Sequence, residues 1–282
     1  MTALAAPSKH DELLRQLTAG IAELTSSHEW ARYLEAQSRF HAYSFLNTLA
    51  ILRARPDTAH VAGFRAWQAM GRQVRKGSKG IAILCPVVSR TRVRDEETGE
   101  EQLIVGSPAR FRIGYVFAYE DTDGEPLPEP CRRLDGGAPG DCYTALVGVA
   151  HSLGYIVEED YLPGGRNGEC DFAAHRIRIE VRNAERQQCK SLGHEVAHAL
   201  LHDPQTGWKG SRELAELEAE STAFVVMSAL GIDSGDYSFG YVASWAGGGS
   251  EAIAAIRTSG SRIQRTADAI LTALDAIEER AA

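Results

Sequence analysis

Nowhere in the 282 residues do 18 consecutive apolar side chains occur, so no segment has the hydrophobic length that a bilayer-spanning helix needs. The first residues, Met1 to Asp11, lack the basic-then-apolar run of an export signal, and secretion is not expected. Cysteine is sparse: Cys85, Cys131, Cys142, Cys170 and Cys189 are odd in number, widely spaced and without a C-x-x-C pair. Neither a disulfide framework nor a cysteine-rich zinc site is indicated, and a reducing, cytoplasmic location fits this usage best. Repeats and low-complexity tracts are missing too. Positive charge is not in excess overall, the net charge being −8, which taken alone argues against a general nucleic-acid binder.

That average hides a segregation. Residues 30–94 hold twelve Lys and Arg against two acidic residues, Glu35 and Asp57, a local net of +10, so the remainder of the chain carries −18. Such asymmetry points to separate partners for separate domains. Residues 121–140, DTDGEPLPEPCRRLDGGAPG, contain four prolines and four glycines, a composition that sustains neither a helix nor a central strand. The expected organisation is an N-terminal amphipathic helix within 1–27, a domain over 28–121, a linker over 122–141 and a second domain over 142–282.

Apolar spacing predicts helices over Glu12–Leu24 and Glu29–Arg53, the second closed by Pro56, and a short helix at Phe64–Met70. Strands follow at Ile81–Val88, at Arg90–Arg94 and Gln102–Val105 as a hairpin, and at Phe111–Tyr119. Past the linker, helices are expected at Cys142–Gly154, Gln187–His202 and Ser211–Leu230, with strands at Tyr155–Val157 and Arg176–Val181. The last segment, Glu251–Arg280, is an amphipathic helix interrupted at Gly260, its apolar stripe facing a core. The fold class is α+β, in two domains.

The sharpest chemical signal is His194-Glu195-Val196-Ala197-His198. Residues four apart on a helix differ by about 40° in azimuth and ~6 Å in height, so both imidazoles can approach one cation from the same side. Leu192, Val196, Ala199 and Leu200 make the opposite face apolar, which lets the helix be buried with its polar face in a cleft. A zinc ion held by two histidines and a carboxylate keeps one position for water, and Glu195 stands where a general base would take that water's proton. A third ligand is expected from the following helix, whose carboxylates are Glu213, Glu216, Glu218 and Glu220. Periodicity does not choose between Glu218 and Glu220. Sites of this kind often place a supporting residue one turn beyond the ligand, and Glu218, with Ser221-Thr222-Ala223-Phe224 after it, fits that better. His202 extends the helix pattern and is assigned a supporting or capping role, and Cys170 and Cys189 are read as small buried thiols. Tyr237 and Tyr241 are the candidate donors to an oxyanion beside the metal.

A second signal is Phe64-Arg65-Ala66-Trp67 followed by Gly71-Arg72-Gln73-Val74-Arg75-Lys76-Gly77-Ser78-Lys79-Gly80. Glycines allow close approach to a phosphate, cations neutralise it, and an aromatic face stacks an unpaired base. Trp67, Arg72, Arg75, Lys76 and Lys79 are the candidate contacts, with Tyr43 and Asn47 on the preceding helix. The competing reading has Phe64 and Trp67 in a core and the basic run as a solvated turn. The local charge of +10 favours binding.

Tyr43-Ser44-Phe45-Leu46-Asn47 together with Trp67 and Gly71–Ile81 resembles the N-terminal single-stranded-DNA-binding domain of ArdC-type antirestriction proteins. The segment Leu192–His202 with Glu218–Phe224 resembles the zincin domain of those proteins and of ImmA/IrrE-type metallopeptidases. Thr222 stands where the zinc-peptidase relatives often have Asn or Asp. The resemblance implies a cytoplasmic protein of mobile-element or phage-related origin with single-stranded DNA as one partner and no membrane association. It implies a Zn2+ cofactor held by His194, His198 and Glu218, with Glu195 as catalytic base of a metallopeptidase that cleaves a regulatory or repressor protein. The alternative it leaves open is a non-enzymatic antirestriction protein that protects single strands and uses zinc structurally.

Overall fold

The computed structural model describes residues 8–88, 90–94, 101–106, 108, 110–127, 139–232, 239, 242 and 249–281. Helices and strands are mixed in α+β fashion. In chain order they are α1 (Lys9–Glu23), α2 (Ser27–Arg39), α3 (Phe45–Ala54), β1 (Val61–Gly63), α4 (Phe64–Ala69), β2 (Arg72–Val74), β3 (Ile81–Val87), β4 (Arg90–Arg94), β5 (Glu101–Val105), β6 (Arg110–Ala118) and β7 (Thr122–Gly124). They continue as α5 (Pro139–Ser152), β8 (Ile156–Asp160), β9 (Gly168–Asp171), β10 (Arg176–Glu180), α6 (Glu185–Leu201), α7 (Arg212–Ala229) and α8 (Gly249–Ala281). None of the helices among the described residues is long and apolar enough to cross a membrane.

The chain forms two compact units: residues 1–19 with 49–125, and residues 20–48 with 126–282. In the first, β6 is the centre of a three-stranded sheet, antiparallel to β1 and to β3. Its sequence, RFRIGYVFA, is aromatic and β-branched as a half-covered strand requires. Val116 and Ala118 are buried along with Ile81 and Ile83 of β3. The β4–β5 hairpin pairs as expected, Arg94 opposite Glu101.

The expected linker begins later than composition indicated. Residues 122–124 are β7, paired with β2 so that Arg72 lies opposite Gly124. Arg72 is what makes the pairing hold. Its Nε donates to Thr122 Oγ1 at 2.8 Å, Nη1 to the Gly124 carbonyl at 3.1 Å, and Nη2 to the Thr122 carbonyl at 3.2 Å. Gly124 has φ of 140°, and a Cβ there would lie 2.5 Å from the Gly71 carbonyl, so this turn residue serves a strand contact. At the far end, α5 already starts at Pro139.

In the second unit β10 is flanked by β8, parallel to it, and by β9, antiparallel to it and at the edge. Helices α5, α6, α7 and α8 pack with α2 around a core that includes Leu146, Leu192, Val196, Val225, Ile256, Ile263 and Ile270, each 2% exposed or less. Helix α2 belongs here rather than to a contiguous N-terminal domain over 28–121: Trp30 is buried, and its Nε1 donates to Ser221 Oγ of α7 at 3.0 Å.

Two expected helix boundaries also shift. The single helix expected over Glu29–Arg53 is two, because the buried Gln37 side chain donates to the carbonyls of Phe40 and Tyr43 and so closes α2 with a turn. The interruption expected at Gly260 is absent, and α8 runs through it. A Cβ on Gly260 would lie 2.2 Å from the Phe45 ring, so the glycine admits a close neighbour instead of breaking the helix.

Candidate metal centre

Helix α6 buries Cys189, Leu192, Val196 and Ala197 completely, as its apolar face dictates. That leaves His194, Glu195 and His198 on the wall of a cleft of about 600 Å³, with β9 across from them and α7 alongside. The two imidazoles approach edge to face, with His194 Nε2 and His198 Nε2 3.0 Å apart. Two ring nitrogens at that distance cannot both present lone pairs to each other. A proton or a cation must stand between them.

The third group is Glu216. Its Oε2 lies 3.3 Å from His194 Nε2 and 3.7 Å from His198 Nε2, and among the described residues these three form a cluster with donor atoms close enough to share one ion. Glu220, one turn further along α7, meets the other side of the first imidazole, Oε2 to His194 Nδ1 at 3.2 Å. Lys190 Nζ is 3.4 Å from its Oε1. The second nitrogens of both rings are thus engaged elsewhere, since His198 Nδ1 faces His202 Nδ1 at 3.0 Å. Two Nε2 atoms and a carboxylate oxygen make a donor set that zinc accepts, and harder divalent ions can share it.

Glu218 is not brought to the pair, which corrects its assignment as a ligand. It is 1% exposed and turned toward α8, its Oε2 accepting from His202 Nε2 at 3.1 Å and from Arg262 Nε at 2.9 Å. The reason is helical phase: 216 and 220 share one face, while 218 is rotated by about 200° from 216. The spacing that would have found the carboxylates nearest the pair was available, since Glu216 and Glu220 repeat on α7 the four-residue step of His194 and His198 on α6.

Charge states follow from these contacts. Burial works against a charged His194, but the carboxylates of Glu216 and Glu220 outweigh it and hold its value up at about 9. The same hydrogen bonds from His194 and His198 hold Glu216 far below the usual carboxylate range. Glu195 shifts the opposite way: burial raises it, against the pull of the two histidines. It is 8% exposed and lies against the backbone of β9, where a Cβ on Gly168 would sit 2.6 Å from Glu195 Oε1. Cys170 lines the same cleft, and burial pushes its thiol up to about 12. Its thiol is therefore protonated at neutral pH, but Cys170 is only half-buried where full burial was expected, whereas Cys189 is fully buried as expected. Tyr237 and Tyr241 lie outside the described residues.

The proposed DNA contacts are scattered. Trp67 is 1% exposed, its Nε1 donating to the Phe117 carbonyl at 2.9 Å, and Arg72 is the buried staple of β2 and β7. Neither reaches solvent, because each satisfies backbone carbonyls in the first unit. Asn47 is buried and Tyr43 half-buried, both in the second unit. Arg75 is exposed but pairs with Asp123 at 3.1 Å. Lys76 and Lys79 are exposed. Sequence reasoning missed the aromatics of β6. Phe111, Ile113, Tyr115 and Phe117 alternate onto one face, with Phe111 52% and Tyr115 49% exposed. Phe64, 43% exposed, meets Phe117 at 6.4 Å, and a Cβ on Gly80, next to Lys79, would touch Tyr115 and Phe117.

Comparison with known proteins agrees with the resemblance drawn from the sequence over the N-terminal part of the chain. Residues 9–117 match the family model for the N-terminal domain of anti-restriction factor ArdC. A curated relative, an uncharacterized protein of Bacillus anthracis, is 30% identical over 105 residues, 37% of this chain, and the match spans only 18% of that relative's length. Two crystal structures of the antirestriction ArdC protein from the R388 plasmid share the fold. The metal-free form aligns with a TM-score of 0.50 at 21% identity over 82% of this chain and 84% of the other. The Mn(II)-bound form aligns with a TM-score of 0.54 at 20% identity over 95% and 98%.

Proposed function

We propose that this chain, with its ArdC-type N-terminal domain, is an antirestriction protein of mobile-element type that binds single-stranded DNA through the first unit and a divalent cation at His194, His198 and Glu216. The observation that carries the reading is the family match over residues 9–117, whose description names the anti-restriction factor. Support for DNA as partner comes from the exposed aromatics Phe64, Phe111 and Tyr115 and the exposed Lys76 and Lys79 of the same unit, residue types suited to stacking unpaired bases and neutralising phosphates. Free cysteines at 85, 142, 170 and 189 support action in a reducing cytoplasm.

The residues at the cleft fit a cation on the geometry of the facing nitrogens. Zn2+ suits them best, and the Mn(II) form of the R388 protein supports a divalent ion more generally. When bound, such an ion would supply Lewis acidity to an oxygen of a ligand in the cleft. The chain's own part is to present two neutral Nε2 atoms and one carboxylate, with Glu220 and His202 holding the rings.

A second reading, a metallopeptidase acting on a regulatory or repressor protein, is favoured by one observation. Glu195 is buried at the cleft wall with its affinity for protons raised, as a general base needs, and β9 offers an edge strand along which an extended peptide could lie.

One experiment separates the readings. Transfer of an unmodified plasmid into a restricting host is measured with the wild-type protein and with Glu195→Gln. Protection by both supports the DNA-binding reading. Protection abolished by Glu195→Gln, at unchanged metal content, supports the peptidase. No protection by the wild type and no affinity for single strands would remove the proposal.

A further inference from the structure

A hollow of about 340 Å³ opens between α1 and the sheet of the first unit. Leu13, Ala82, Ile113 and Tyr115 wall it, and Lys9, Glu12 and Gln16 supply its polar groups. The register explains the wall: Ala82 of β3 pairs with Tyr115 of β6, so a methyl stands next to an aromatic ring that is 49% exposed. Ile113 lies two residues before Tyr115 on the same face of β6. Leu13, Gln16 and Ala82 also line a second hollow of about 270 Å³ that reaches Arg53 of α3, so the two form one groove with Lys9 in the first part and Arg53 in the second. Both cations are exposed.

The chemistry of the groove selects an occupant. Its volume is at the lower end of the ~300–1,000 Å³ that small-ligand sites span, which suits a single planar ring system. Tyr115 offers a face on which such a ring stacks. An acyl chain in the same place would leave Glu12 and Gln16 facing it without partners, which is costly for groups drawn out of water. Glu12 is half-buried, its Oε1 accepting from Gln16 Nε2 at 2.7 Å, and it also pairs with Arg15. A carboxylate in the groove repels a phosphate and accepts from an amine, so a base belongs inside and its backbone outside. Cytosine presents an exocyclic amine next to a ring nitrogen that accepts, and the Gln16 amide has a second hydrogen for that nitrogen. Thymine, of the same size, turns a carbonyl oxygen toward the carboxylate on either side of its one N–H.

We propose that the groove takes one unpaired base of a single strand, stacked on Tyr115 with its amine at Glu12, while Lys9 and Arg53 receive phosphates of the neighbouring nucleotides. Cytosine is preferred to thymine there. The site rests on the single-strand reading above and adds to it a preference among bases. All of its residues fall within the stretch 9–117 that matches the ArdC N-terminal family model.

The test begins with the monophosphates of deoxycytidine and thymidine, titrated into the whole protein with labelled methyl groups and followed by NMR. The methyl resonances of Leu13, Ala82 and Ile113 should shift with the first and much less with the second. Fluorescence anisotropy is then measured with deoxycytidine and thymidine strands of equal length for wild type, Ala82→Phe and Glu12→Gln, with folding checked by circular dichroism. The wild type should bind the cytosine strand at least about fivefold more tightly, the low end for a base edge read by a pair of hydrogen bonds. Ala82→Phe fills the groove and should lower affinity for that strand at least about fivefold, the low end for one stacked base, at an unchanged salt slope. Glu12→Gln keeps the volume and lets an amide turn either way, so the preference should shrink with no loss for the thymine strand. A structural role for Glu12 would weaken both strands alike. Should Ala82→Phe fail to fold, Glu12→Gln decides. Equal affinity of the wild type for the two strands, a folded Ala82→Phe that binds as the wild type does, or a uniform loss in Glu12→Gln would overturn the proposal. A wild type that binds no strand would remove the single-strand reading, and the methyl shifts would still decide the groove: present, they keep a base site; absent, they overturn it.

Discussion

Glu220 meets His194 at the nitrogen turned away from His198, Oε2 to Nδ1 at 3.2 Å, while its neighbour one turn earlier, Glu216, meets the nitrogen turned toward it. One imidazole is therefore gripped on both edges by one helix, and its orientation is set without any ion.

From this follows the relative weight of the two glutamates. Glu216→Ala removes a ligand atom, and its affinity for Zn2+ should fall further than the about 100-fold upper range for loss of an outer partner. Glu220→Ala should stay inside that range. Titration of both variants against a chelating dye checks the order, and a larger loss for Glu220→Ala would show the roles to be exchanged.

Cation binding should release a proton. His194 is raised from 6.5 to about 9, so in the metal-free protein it is charged below about pH 9, and a cation must displace that proton. Affinity should rise about tenfold per pH unit from neutrality and level off above pH 9. The same sign governs stability: the favourable charge of His194 is fully felt below pH 6.5 and is lost as pH climbs through about 9. Calorimetry near pH 7.5 in buffers of different ionisation enthalpy should find about one proton released per ion, and a value near zero would contradict the assignment.

Single-strand binding should separate the buried basic residue from the exposed ones. Lys76→Ala with Lys79→Ala is expected to lower affinity and to reduce the salt slope by about 0.7 for each phosphate no longer neutralised. Phe111→Ala and Tyr115→Ala should each cost about 1–3 kcal/mol of binding with little change in that slope. Arg72→Ala should act on stability instead, by on the order of 1–3 kcal/mol for each carbonyl left unpaired. Fluorescence anisotropy over a salt series and urea unfolding distinguish these, and an Arg72→Ala protein of full stability with no DNA affinity would restore the residue as a DNA ligand.

Gly260→Ala tests a packing claim. Alanine is the better helix former by about 1 kcal/mol, but its methyl would enter the buried Phe45 ring, and overpacking costs about 1–3 kcal/mol. The net effect should be destabilising, and a raised urea midpoint would mean the ring moves aside easily.

Much of the architecture was legible because it rests on local pattern. Alternation along 111–118 marked β6, and the Ser211 cap with the following apolar period marked α7. The strands β1, β2, β7 and β9 were not legible, being three or four residues long and held by partners far along the chain, as β7 is by Arg72. Gly260 and the 121–124 turn misled for a related reason, since a glycine chosen for a close neighbour looks in sequence like one chosen to end an element. Trp67 misled in another way: an aromatic among cations has the composition of a stacking platform, and only its indole donating to the Phe117 carbonyl shows it to be core.

The order of residues alone determined that two imidazoles, four apart on a buried helix, would face the same way with Glu195 beside them, because helical pitch is a local property. Which carboxylate joins them was decided only when α7 was laid against α6 and α8 against both. Rotation of one helix about its axis by two residues carries a side chain from the cleft to the opposite face. Packing of the apolar stripes set that rotation, so Glu216 came to the histidines and Glu218 was buried against Arg262.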